Sequence, residues 1–167
     1  MKKFLLTASL ILPLTFPLCA SAYEIKGVAL GGHEVDVKKA FPSAHCKALE
    51  WKSDAADRRC DDAQVAVDGV QTRITVYLKA DVIQAFDLRC EMKELERMKK
   101  ALQGRWGAPA AEATETFAKK DKPDRKVFKM RWEKGTDLAI LTAQLDKKVV
   151  SVEVSRGNFP QEIYRIR

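Results

Sequence analysis

Apolar and polar side chains alternate over residues 72–78. Ile74, Val76 and Leu78 fall on one side of an extended chain, with Arg73, Thr75 and Tyr77 on the other. That two-residue period predicts a strand with one buried face. The same alternation over residues 125–132 sets Phe128, Met130 and Trp132 inward and Val127, Lys129 and Arg131 outward. Shorter β-rich runs predict strands over residues 23–30, 46–51, 63–67, 82–88, 138–145 and 149–154, with a weaker one at 113–118. Polar breaks at Asp68-Gly69, Lys79-Ala80-Asp81, Lys134-Gly135 and Asp146-Lys147-Lys148 read as turns between neighbouring strands.

Two segments change to a helical period. Residues 33–41 carry Val35, Val37 and Phe41, and Pro42 stops them. From Glu91 to Gln103 or beyond, Met92, Leu95, Met98, Leu102 and Trp106 recur at three- and four-residue steps, which places them along one stripe. Glu91 and Glu94 open this helix and Lys99, Lys100 and Arg105 lie near its end, so the charges complement the helix dipole. Gly107 and Pro109 close it. The ending, residues 158–167, reads as irregular.

The predicted order is helix, strands, helix, strands. Val37-Lys38-Lys39-Ala40-Phe41 is echoed by Met98-Lys99-Lys100-Ala101-Leu102, and Gly69 before one strand is echoed by Gly135 before another. The expected fold class is therefore α+β: antiparallel sheet strands with two helices, as a tandem repeat of an α-plus-β-meander unit. The expected body is one compact domain over residues 23–167, or two lobes at 23–89 and 90–167. In Gly27 to Pro42, and in Leu-Gln-Gly-Arg-Trp-Gly-Ala-Pro from Leu102 to Pro109, the layout resembles tandem helix-plus-sheet proteins of the bacterial envelope, typified by the β-lactamase inhibitory protein. A single unit resembles the small outer-membrane assembly lipoproteins of the SmpA type. The resemblance implies a binder, inhibitor or assembly factor. It carries no functional residue onto this chain.

The N-terminus changes the picture of compartment. Met1-Lys2-Lys3, an apolar run from Phe4 to Leu18, and Ala20-Ser21-Ala22 are the three parts of a secretory signal peptide over residues 1–22. The run is short for a membrane span and contains Pro13 and Pro17. Cys19 follows the large Leu18, whereas a lipidation signal wants a small residue there. The expected destination is the bacterial periplasm or the medium, with no membrane-spanning segment after cleavage.

Composition is that of a globular chain: 167 residues, 46% hydrophobic and 32% charged, which excludes a disordered protein. The net charge of +7 is localised. Lys2 and Lys3 belong to the signal peptide. Residues 119–134 hold Lys119, Lys120, Lys122, Arg125, Lys126, Lys129, Arg131 and Lys134 against Asp121, Asp124 and Glu133. This arm could meet an acidic protein, lipopolysaccharide phosphate or peptidoglycan carboxylates, or be a solvated loop and strand face. Export argues against nucleic acid.

Three cysteines follow the signal peptide. Cys46 and Cys60 are equidistant from a polar turn centred on Ser53, so a hairpin there would pair them; Cys60–Cys90 is the other pairing considered. Cys90 would then be buried, or would join a second chain of an otherwise monomeric protein. His33, His45, Cys46 and Cys60 are suitable ligands for zinc or copper and define the alternative function, a small periplasmic metal-handling protein or enzyme. Their spacing fits no compact metal knuckle, and adjacent His45 and Cys46 would point to opposite faces of a strand. Asp54, Asp57, Asp61 and Asp62 read as solvated turn residues. With two histidines and no phosphate-cradling loop or hydrolase motif, no catalytic residue and no cofactor is expected. The leading expectation is a non-enzymatic binder acting through one sheet face or the basic arm.

Overall fold

The computed structural model describes residues 23–119 and 122–165. The expected signal peptide, Lys120 and Asp121 lie outside the described residues, as do the side chains of Lys119 and Lys122. The chain opens with a two-strand hairpin, β1 (Glu24–Ile25) and β2 (Val28–Ala29), then α1 (Glu34–Ala40). Four strands follow: β3 (His45–Ala48), β4 (Arg58–Val67), β5 (Val70–Lys79) and β6 (Val82–Glu91). A 3₁₀ turn (Met92–Glu94) leads into α2 (Leu95–Trp106). Then come β7 (Ala111–Lys119), β8 (Lys122–Lys134), β9 (Asp137–Gln144), β10 (Val149–Arg156) and a short α3 (Phe159–Glu162).

The eight longer strands form one antiparallel sheet in the order β3-β4-β5-β6-β10-β9-β8-β7. Each helix-led half is a meander, and the two meet where the last strand of one pairs with the last strand of the other, Leu88 opposite Val152. Ile74, Leu88, Val152, Leu141 and Met130 make a continuous buried row across five strands. Val37 and Phe41 beside α1, and Met98, Leu102 and Trp106 of α2, pack on that same face in one apolar cluster. One side of the sheet is thus the core.

Several expectations change. Residues 23–30 are a hairpin because Lys26 and Gly27 take φ of 52° and 78°, which a continuous strand cannot accommodate. Val35 is 69% exposed whereas Val37 is fully buried; residues two apart lie about 200° apart around a helix and cannot share a stripe. Glu91 stays in β6, and α2 begins only at Leu95. Asp61 and Asp62 belong to β4, which starts at Arg58. Asp62 is buried and accepts bonds from the Ser43 hydroxyl at 2.6 Å and the Gln64 N–H at 3.1 Å, so it is not a solvated turn residue. The chain ending is helical rather than irregular, making three helices where two were expected.

Candidate functional site: the open face of the sheet

The side of the sheet away from α1 and α2 carries polar and charged residues. Part of it is covered by the C-terminal segment and the loop between β3 and β4, where Phe159, Ile163, Ala55 and Ala56 pack with Tyr77 and Ala85. Trp51 fixes that segment: its indole N–H donates to the Ile163 carbonyl at 2.8 Å and its ring stacks on Tyr164 at 5.7 Å. Arg59 lies 5.9 Å over the other partner of this corner, the Trp51 ring.

Strand register sorts the rest of the face into rows. Opposed residues in an antiparallel sheet point the same way, so each register line is a line of side chains. One line runs Arg73, Arg89, Ser151, Thr142, Lys129. The next runs Asp61, Thr75, Asp87, Glu153, Ile140, Arg131. A cationic row therefore lies beside a row with three carboxylates. Arg89 donates to Asp87 at 2.9 Å, and the Thr75 hydroxyl donates to Asp61 at 2.7 Å. Burial, then the neighbouring Asp87 charge, pushes the Glu153 carboxyl above its usual range. A groove of about 390 Å³ runs along this part of the face, with Trp51, Arg59, Asp61, Arg73, Asp87 and Arg89 in its walls.

The basic run does not stand as one surface. Alternation along β8 divides it: Arg125, Lys129 and Arg131 are placed on the open side, while Lys126 and Lys134 are placed on the core side. Lys129 pairs with Glu115 at 2.9 Å and Arg131 with Glu133 at 2.6 Å. The Lys134 ammonium lies 4.8 Å over the Tyr23 ring.

Cys46 and Cys60 oppose each other on β3 and β4 and form a disulfide, the pairing the turn spacing predicts. Both sulfurs are thereby removed as ligands for the expected metal alternative. His45 lies opposite Asp61 on β3, and His33 Nδ1 lies 3.1 Å from Asp81, so the proposed ligands divide between different contacts. Cys90 is a half-buried free thiol, pushed up to about 11 by burial and by Glu94 and Glu91.

Sequence reasoning singled out Lys129 and Arg131 but missed Arg73, Arg89, Asp87 and Glu153. Each looks like an ordinary outward strand position; only cross-strand register gathers them. Compared with protein-family models, curated proteins and solved structures, the chain matches none.

Proposed function

We propose that this is an exported, non-enzymatic protein of the bacterial envelope that binds a protein partner through the open face of its sheet. The observation that carries the reading is the pair of charged rows on the face that α1 and α2 leave uncovered. A sheet face bearing alternating charge, two aromatics at one edge and half-buried Leu138 and Ile140 offers the mixture that protein interfaces use. The signal-like residues 1–22 support export to the periplasm. The Cys46–Cys60 bridge fits an oxidising compartment. We read the two helix-led meanders as copies of one unit, forming a single body over residues 23–167 in the manner of the β-lactamase inhibitory protein. The mature protein is read as a monomer that needs no cofactor.

A photo-crosslinking residue at Thr142, on the open face, should capture a partner in the native envelope. The same residue at Lys100, exposed on α2, should not. Capture at Lys100 alone would remove the open face from consideration.

A further inference from the structure

Two direct cross-strand oppositions of like charge lie side by side at the middle of the open face. Arg73 faces Arg89 across β5 and β6, and Asp87 faces Glu153 across β6 and β10. Like charges placed directly opposite destabilise an antiparallel pair. The Arg89–Asp87 ion pair relieves the inner members of the two pairs. The outer members, Arg73 and Glu153, have no ion pair among the described residues. Local choices that work against the fold mark places where something other than the fold sets the residue.

We propose that this quartet receives a helical segment of a protein partner that carries an acidic and a basic stripe, laid across the strands. Its carboxylates would sit on Arg73 and Arg89, and a neighbouring stripe of basic side chains on Asp87 and Glu153. The inference rests on the open face being the binding surface, and adds the partner's chemistry. Neighbouring strands are about 4.8 Å apart, and one helix turn rises about 5.4 Å. Side chains at i and i+4 on a helix crossing the strands therefore meet successive strands. Alternate residues along a strand are roughly 6.7 Å apart, so the second row meets the adjoining stripe of the same helix. The arginines can each take a carboxylate in forked geometry. The adjacent Asp87 and Glu153 carboxylates disfavour a surface of closely spaced phosphates, which would bring no cation to them. Trp51 and Tyr164 at the groove's edge give the segment an apolar flank.

Three fluorescent helical peptides test this by anisotropy: one with glutamate and lysine stripes, one with the lysines replaced by glutamine, and one with the glutamates replaced. The two-stripe peptide should bind at least fivefold more tightly than either other. Arg73→Gln with Arg89→Gln should abolish the advantage of the glutamate stripe. Arg73→Gln alone, which relieves the Arg73–Arg89 opposition, should remove part of it while the melt rises slightly. Equal binding of the three peptides, or no loss in Arg73→Gln, overturns the proposal. Phosphatidylglycerol vesicles that bind as tightly and lose binding in the same variants would overturn it in favour of a lipid surface. If Thr142 still captures its partner in the double variant, the charge rows fall and the open-face reading stands. If Thr142 captures nothing in the wild type, that reading falls first.

Discussion

The Trp132 indole N–H donates to the carbonyl of Gly107 at 2.9 Å. Gly107 ends α2 at φ 84°, so the bond ties the exit of the long helix to the C-terminal end of β8. Trp132 also meets Trp106 edge to face at 5.5 Å. Trp132→Phe keeps an aromatic ring there but leaves the carbonyl without its donor. The expected cost is about 2 kcal/mol, from the lost bond and the unpaired acceptor. Urea unfolding should show a lower midpoint at unchanged slope; an unchanged midpoint would mean the bond contributes nothing.

Thiol counting tests the cysteine arrangement. Under denaturing, non-reducing conditions a chain prepared from Tyr23 onward should release one reactive thiol, Cys90. In the folded protein that thiol should alkylate slowly at pH 8, because burial holds it up to about 11 and little of it is thiolate. Replacing Cys46 and Cys60 together by alanine should cost about 3 kcal/mol in the chain-entropy account of so short a loop. Three reactive thiols in the oxidised protein would contradict the bridge.

The orientation of α1 makes a paired prediction. Val37 is fully buried, and truncation to alanine should cost about 2 kcal/mol. Val35 is 69% exposed, so its truncation should leave the melting temperature unchanged. Equal losses at both positions would require a different helix rotation.

Two glutamates should respond to pH with opposite sign. Hydrogen bonds from Lys38 and Arg58 hold Glu34 below the usual carboxylate range. Its contribution is present above that range and is lost as pH falls through the lowered folded value. Glu34→Gln should therefore cost about 0.5 kcal/mol at neutral pH, the scale of partly exposed ion pairs, and less in acid. Glu153 is raised, so the stability it contributes is present below the usual range and is lost as pH rises through the raised value. Glu153→Gln should stabilise by about 0.5 kcal/mol at neutral pH, with the gain vanishing in acid. Unfolding curves at pH 7 and pH 4 check both signs.

Most of the strands could be read from the chain because one face of the sheet is core. Ile74, Val76 and Leu78 alternate for that reason, and Met98, Leu102 and Trp106 step helically for the same one. The outer edges of the pattern were harder. Residues 58–62 hold two arginines and two aspartates around Cys60, and of the three that face the core side only Cys60 is apolar, so hydrophobicity gave no strand signal. The tail became a helix because Phe159 and Ile163 find a second apolar patch at Tyr77 and Ala85, a contact made far along the chain. The charged rows were illegible for a further reason. Asp87 and Glu153 are brought together by the pairing of β6 with β10, and no local window contains both.

That same pairing sets an order of events. Every other contact in the sheet joins strands adjacent in the chain, whereas β6 waits for β10, the last strand to be made. Until then a newly synthesised chain carries a complete first meander with a ten-residue edge of unpaired backbone. Such an edge is a template for wrong partners, and the long loop it closes makes this step slow. Pulse-labelled hydrogen exchange should find β4 and β5 amides protected before those shared by β6 and β10. Simultaneous protection would mean the two halves do not zip in sequence. The seam is therefore the interval of greatest exposure in the molecule's life, and the place where a folding helper would have most to do.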